Sequence, residues 1–336
     1  MSTAMSHPLV EVRDLHVAFA GRDATVSAVN GVSFNVMPGE VLCLIGESGS
    51  GKSVTMHALM GLLPKRRARI GGRIRVAEHA ILALNERRLA ELRGSLMSMI
   101  FQEPMTALDP VYTVGQQIAE AVQRHAHATR QAAMARALEL LQLVKVPSPE
   151  RRLKAYPHEL SGGMRQRAMI AIALACQPAL LLADEPTTAL DATVQIQVLI
   201  LLRKLQQEFG MGLVFVTHDL GVAAQIADRI AVMYAGRIVE EGSARDVLLS
   251  PRHPYTMGML SSTLQGRVRG RDIEAIPGSP PDMRTLPGGC SFAPRCRFAT
   301  GDCRATMPDP VAVAPDHHVA CLRVAEVSPS AKLAVS

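Results

Sequence analysis

The residues with the clearest chemistry are Gly46-Glu47-Ser48-Gly49-Ser50-Gly51-Lys52-Ser53. They follow the apolar run Val41–Ile45 and lead into a stretch with no proline before Pro64. This is the G-x-x-x-x-G-K-[ST] spacing, set between a strand and a helix as phosphate binding requires. Glycines let backbone N–H groups turn inward around phosphate oxygens, where a Cβ would crowd the ligand. The following helix aims its positive end at the same anion. Lys52 would reach the β- and γ-phosphates, and the Ser53 hydroxyl would help hold Mg²⁺. The spacing predicts a nucleoside triphosphate.

Further residues could act on such a ligand. Leu180–Ala183 is a continuous apolar run ending in Asp184-Glu185, as in a parallel strand covered on both faces. A carboxylate at that strand end, Asp184, can hold Mg²⁺ opposite Ser53. Glu185 is placed to polarise a water for attack on the γ-phosphate. Gln102 could contact the metal and that water, and His218 could hydrogen-bond the γ-phosphate. Gly46, Gln102, Asp184 and His218 all fall at the ends of predicted strands, where parallel sheets bind ligands. Ser161-Gly162-Gly163 brings a hydroxyl and two bare amides to a helix start, a second anion-binding element; a plain helix cap is the other reading. Phe19 lies in a stretch that could fold over a nucleotide base, and an ordinary core phenylalanine fits it equally.

The elements that must position these groups follow from periodicity. Val10, Val12, Leu15, Val17 and Phe19 alternate as in a strand, and Val32–Val36 reads as a second, short one. A helix is predicted over Val54–Leu63, a strand over Arg73–Val76, a helix over Asn85–Arg93 and a strand over Leu96–Phe101. Val114–Leu143 reads as two helices. Another apolar helix runs from the Ser161 region to Cys176, and Thr193–Phe209 forms a further one ending at Gly210. Strands follow at Leu213–Val216, Ile230–Tyr234 and Ile238–Val239, and Ser243 caps a helix through Leu249. Alternating strands and helices from about residue 40 to 217 predict an α/β fold with a mostly parallel sheet.

Composition sets limits on the class. The 336 residues suggest a main domain with an appendage. The net charge of +6 invites a nucleic-acid or membrane-surface reading. The basic residues are scattered, however, and Lys65-Arg66-Arg67-Ala68-Arg69 has no aromatic stacking platform beside it. Met1–His7 lacks the apolar core of a signal peptide, and no stretch reaches the ~18 apolar residues that cross a bilayer. A cytoplasmic protein that meets membranes through partners is expected.

From Pro251 onward the composition changes: 11 of the 21 prolines lie there, so the tail cannot be mainly helix or sheet. Cys43 and Cys176 read as small buried residues. Cys290, Cys296, Cys303 and Cys321 are separated by five, six and 17 residues. In a cytosolic chain such a cluster suggests a metal site rather than disulfides. The spacing departs from the C-x₂-C pairs of structural zinc, and four thiolates can also bind an iron–sulfur cluster.

The order of motifs resembles the ATP-binding-cassette ATPases over roughly residues 9–250. The match comprises the phosphate loop, the Gln102 loop, the signature Leu160–Met164, Asp184-Glu185, Ala189-Leu190-Asp191 and His218. The signature ends in Met164, where many relatives have glutamine. The resemblance implies a P-loop ABC-type nucleotide-binding domain with an antiparallel β subdomain and a helical insertion at about 103–165. It also implies a Pro/Cys-rich C-terminal extension over 251–325 and a disordered tail at 326–336. Two such domains would meet head to tail, so that Ser161, Gly162 and Gly163 serve the partner's ATP and Asp191 couples the two sites. Glu185 would be the catalytic base.

Phe101–Pro110, Val232–Glu240, His253-Pro254-Tyr255-Thr256 and Ile276–Cys321 look like the dipeptide/oligopeptide importer ATPases, most like their D-type subunit. This implies an ATPase energising a bacterial importer of peptides or related small solutes, at the cytoplasmic face of the inner membrane. Implied partners are a distinct F-type ATPase subunit, two transmembrane permease subunits and a solute-binding protein, with no nucleic acid. The implied cofactors are ATP, Mg²⁺ and a [4Fe–4S] cluster at the four tail cysteines, with zinc as alternative. A soluble ABC-type ATPase acting on nucleic acid, or an exporter ATPase, are the competing readings.

Overall fold

The computed structural model describes residues 7–21, 24–102, 107–188, 190–265 and 276–327. Glu103–Thr106 of the Gln102 loop, Ala189 and the tail from residue 328 lie outside the described residues. The chain divides into two compact units that interleave along the sequence. One comprises residues 1–10, 36–40 and 75–215; the other comprises 11–35, 41–74 and 216–336.

In the first unit, strand Leu180–Asp184 lies between Met97–Ile100 and the start of Gly212–Thr217. Its pairing with Met97–Ile100 is parallel, in register from Met97 opposite Leu180 to Ile100 opposite Ala183. All five residues of Leu180–Asp184 and all four of Met97–Ile100 are buried. This is why they read as largely apolar runs rather than as alternation, with Ser98 and Asp184 the polar members.

Helices supply the rest of this unit. Asn85 caps Glu86–Leu92 by accepting from the Arg88 N–H. Thr113 and Gln116 form a reciprocal capping box on Val114–Ala126, and Thr129 caps Arg130–Leu143. Each polar cap satisfies a helix-end N–H that no intrahelical carbonyl can reach. Of the apolar stripes expected along the two longer helices, Ala119, Val122 and Leu141 are buried and Leu138 is half-buried. Helices Gly162–Ala173 and Ala192–Phe209 belong to the same unit. The latter ends where Gly210 turns left-handed at φ 62°, the conformation glycine adopts without strain.

The second unit holds strands in the order Val311–Ala314, His317–Val319, Arg237–Ser243, Arg229–Tyr234 and Val41–Ile45. Val41–Ile45 and Arg229–Tyr234 run parallel, and the remaining neighbours are antiparallel. Strands Thr25–Val36, Val10–Ala20 and Ala68–Val76 lie side by side in a separate sheet.

The structure differs from expectation in several elements: the strand expected at Arg73–Val76 already begins at Ala68, and the one expected at Ile238–Val239 spans Arg237–Ser243. The second strand spans Thr25–Val36 rather than Val32–Val36. At Asn30 the backbone N–H donates to the Gly236 carbonyl at 2.8 Å and the side-chain amide to the Ala235 carbonyl at 3.2 Å. Those distant partners keep the strand going through Gly31 at φ 85°. The phosphate-loop helix is shorter and earlier, Lys52–Leu59. The apolar helix ends at Ala173, leaving Cys176 half-buried beyond it with its thiol 3.7 Å from the Ala121 carbonyl.

The tail, finally, contains helix Pro254–Gln265. Pro254 needs no N–H at a helix start, and the buried His253 ring accepts from the Tyr255 N–H at 3.1 Å. Burial lowers the His253 pKa to about 4 against the raising effect of Glu240. Neutral at physiological pH, the ring keeps the lone pair that this bond needs.

Candidate functional site

Val41–Ile45 is entirely buried and delivers the chain into the loop at Gly46. Gly46 sits at φ 154°, and a Cβ there would fall 2.2 Å from the Met233 carbonyl oxygen. Only glycine passes that point. The loop returns to Gly51, which starts helix Lys52–Leu59 without any side-chain cap. A helix start left open in this way presents N–H groups and a positive dipole end to an anion.

Lys52 is almost buried, and its ammonium donates to the Gly46 and Glu47 carbonyls at 2.7 and 2.9 Å and to the Ser50 hydroxyl at 3.3 Å. The lysine thus braces the loop that it closes. Beneath it Cys43 is fully buried, and burial raises its thiol pKa against the lowering pull of Lys52. It is the inert core thiol that sequence predicts.

In the same unit Phe19 is half-buried on strand Val10–Ala20, and His218 is exposed just after Gly212–Thr217. Asp219, next to it, caps helix Leu220–Ile226 by accepting from the Gly221 and Val222 N–H groups.

In the other unit, strand Leu180–Asp184 ends in the buried Asp184 and then turns at Glu185, whose φ is 44°. A non-glycine residue held there is strained by about 1–3 kcal/mol, a feature concentrated at functional sites. The Glu185 carboxylate accepts from the Thr188 hydroxyl at 2.9 Å and from the Gln102 amide at 3.4 Å. Gln102 and Glu185 are 83 residues apart, and the fold brings them together. Thr188 is an addition that the motifs do not announce. Its only sequence signal is its place three residues after the carboxylate.

Ser161 is exposed and caps helix Gly162–Ala173, its hydroxyl accepting from the Met164 N–H at 3.4 Å. A Cβ on Gly163 would fall 2.8 Å from the Val194 Cγ1. The close approach that selects this glycine therefore includes the neighbouring helix Ala192–Phe209. Gly162 is less crowded, since a Cβ there would lie 3.8 Å from the Leu190 Cδ2. Asp191 is exposed and caps helix Ala192–Phe209 through the Val194 N–H at 3.0 Å. One helix start thus packs on the next.

Cys290, Cys296, Cys303 and Cys321 are free thiols that line one cavity of ≈ 20 Å³. Burial raises the pKa of Cys290, Cys296 and Cys321, and neighbouring thiols add to it; Cys321 is pushed up to about 11. A bound cation would reverse that sign. Among the described residues no three His, Cys, Asp or Glu side chains are grouped as an ion-holding site. The cysteines converge on a cavity without forming a finished metal centre.

The sheets, the phosphate loop and the pinned carboxylate define a P-loop nucleotide-binding cassette. Residues 29–188 match the family described as ABC transporter, and residues 239–303 match the oligopeptide/dipeptide transporter C-terminal region. The probable peptide ABC transporter ATP-binding protein y4tR of Sinorhizobium fredii is 52% identical over 322 residues, covering 95% of this chain and 96% of that one. The dipeptide transport ATP-binding protein DppD of Bacillus subtilis is 46% identical over 314 residues, covering 93% and 94%. The dimeric post-hydrolysis ATP-binding cassette MJ0796, bound to ADP and phosphate, superposes with a TM-score of 0.64 at 28% identity, over 70% of this chain and 99% of that one. The chain belongs to the ATP-binding proteins of ABC transporters, within the group that carries the oligopeptide/dipeptide C-terminal region.

Proposed function

We propose that this chain is the ATP-hydrolysing subunit of an importer for peptides or related small solutes. The observation that carries the hydrolytic reading is Glu185, held in a left-handed backbone at a strand end with its carboxylate gripped by Thr188 and Gln102. A carboxylate so fixed can orient a water and take its proton as that water attacks the γ-phosphate. Gly46–Ser53 would hold the phosphates, with Lys52 leaving its loop carbonyls for the β- and γ-oxygens. Mg²⁺ would be held by Ser53, Asp184 and Gln102, and it would neutralise charge building on the phosphate oxygens. His218 would contact the γ-phosphate and Phe19 the base.

Ser161, Gly162 and Gly163 would close over the ATP of a second ATPase subunit, and Asp191 would couple the two sites. Residues 1–250 would form the nucleotide-binding domain, with its helical insertion at about 103–165, and 251–325 the extension. No helix of the described residues is long and apolar enough to cross a membrane. The chain would therefore work at the cytoplasmic face through two permease subunits, fed by a solute-binding protein. Its relatives y4tR and DppD, named for peptide and dipeptide transport, support the solute class.

Affinity purification of the tagged chain from detergent-solubilised membranes should bring down two permease subunits. Recovery with nucleic acid and no membrane subunit would overturn the transporter assignment.

That Cys290, Cys296, Cys303 and Cys321 line one cavity supports a four-thiolate group there, although among the described residues their side chains are not grouped as metal ligands. A [4Fe–4S] cluster there would supply structural cross-linking of a segment with little regular structure of its own. Purification without oxygen should yield iron and acid-labile sulfide at about four each per chain, and serine at any of the four positions should lower both. A colourless preparation with one zinc per chain would replace the cluster by zinc.

A further inference from the structure

The phosphate loop carries an acidic residue that the proposed chemistry leaves without a purpose. Glu47 follows Gly46 directly, in a loop whose ligand is a polyanion. A free carboxylate there would oppose the triphosphate, since like charges a few ångströms apart repel. In the structure it is not free. Arg295, 248 residues away, clasps it with two parallel bonds, Nη1 to Oε2 at 2.7 Å and Nη2 to Oε1 at 3.0 Å. The guanidinium is nearly buried while Glu47 keeps about 29% of its side chain exposed.

Arg295 is itself held rigidly. Its Nε donates to the Pro277 carbonyl at 2.8 Å, Nη1 also reaches the Tyr234 hydroxyl at 3.3 Å, and the guanidinium stands 5.8 Å from the centre of the Tyr234 ring. Burial alone would lower its pKa; the Glu47 and Tyr234 bonds more than reverse this. The residue sits in the short turn Ala293–Arg295, immediately before Cys296 and five residues after Cys290.

A second grip reaches the same loop residue. The Glu47 N–H donates to the Tyr255 hydroxyl at 2.8 Å. Tyr255 is fully buried, its ring 4.6 Å from that of Tyr234 and 5.4 Å from that of Phe292. Phe292 closes the triangle, edge-on to Tyr234 at 5.2 Å. Three of the chain's eleven phenylalanine and tyrosine residues thus gather where the C-terminal segment meets the phosphate loop, within one compact unit.

We propose that Arg295 and Tyr255 are positioning residues for the phosphate loop, so that the C-terminal segment between Cys290 and Cys296 sets the affinity for the triphosphate. Arg295 neutralises Glu47 and fixes its carboxylate, and Tyr255 fixes its backbone. The inference rests on the reading of Gly46–Ser53 as the triphosphate site.

The test measures Mg²⁺-ATP dissociation constants by calorimetry on the purified full chain, with melting temperature taken without nucleotide. Arg295→Gln frees the Glu47 charge, and its dissociation constant should rise about tenfold, the lower end for a charged hydrogen-bonded pair. Adding Glu47→Gln removes the repulsion and should bring the constant back to within about threefold of the parent. A merely structural role of Arg295 would be worsened, not rescued, by that second change. Arg295→Lys keeps the charge without the fork and should stay between the parent and Arg295→Gln. Tyr255→Phe keeps the ring packing, removes the acceptor and should raise the constant about threefold.

Constants within twofold of the parent for both Arg295→Gln and Tyr255→Phe overturn the proposal, as does a folded double variant that fails to recover. If Arg295→Gln does not fold, Arg295→Lys and Tyr255→Phe decide by the same criterion. Lys52→Ala serves as control. Should it leave affinity unchanged, the phosphate-loop reading fails; should it abolish binding while Arg295→Gln does not weaken it, only the positioning role fails.

Discussion

Glu185→Gln should bind Mg²⁺-ATP as tightly as the parent chain while turnover falls by about 10²- to 10⁴-fold, the range for losing a general base. The amide has nearly the shape of the carboxylate and retains an oxygen for the Thr188 hydroxyl, 2.9 Å away in the parent. The φ of 44° is unchanged in kind, since glutamine meets the same strain there as glutamate. What disappears is the ability to take a proton. Single-turnover hydrolysis measured beside equilibrium nucleotide binding separates the two effects. Parent-like hydrolysis would remove Glu185 from the role of base. A parallel loss of binding would recast it as a structural residue.

Lys52→Ala should weaken Mg²⁺-ATP binding by about 10- to 100-fold, the worth of hydrogen bonds to a charged group. The side chain has two duties. Without ligand it ties the Gly46 and Glu47 carbonyls, and with ligand it would meet the phosphates. Alanine removes both, so the melting temperature without nucleotide reports on the first and the nucleotide-induced rise in melting temperature on the second. Loss of the nucleotide-induced rise is the expected result. An unchanged dissociation constant would contradict the assignment of Gly46–Ser53 as the phosphate site.

These two variants probe residues from separate parts of the sequence, and both residues are legible in the order of amino acids alone. A strand–loop–helix with fixed glycines is a local object, because its backbone demands are met within about ten residues. The same holds for Leu180–Asp184, whose continuous burial writes itself as continuous apolarity. Caps at Asn85, Ser161, Asp191 and Ser243 are equally local. Strand Thr25–Val36 is less visible, because the bonds that carry it through Asn30 come from Ala235 and Gly236.

The order of chemical motifs along the chain is thus enough to place it in its family and to propose a nucleotide site and a base, since each motif answers to short-range geometry. Other matters are settled only by folding. Gly163, which reads as an open amide, is a packing requirement against Val194. The four tail cysteines surround one cavity, a convergence that their irregular spacing does not state. Glu47, which reads as one more phosphate-loop residue, is clasped by Arg295 and held by Tyr255. No sequence pattern links residues separated by more than 200 positions, because their meeting depends on the whole path of the chain between them. Charge neutralisation inside the phosphate loop is therefore a decision of tertiary structure, whereas the loop itself is a decision of sequence.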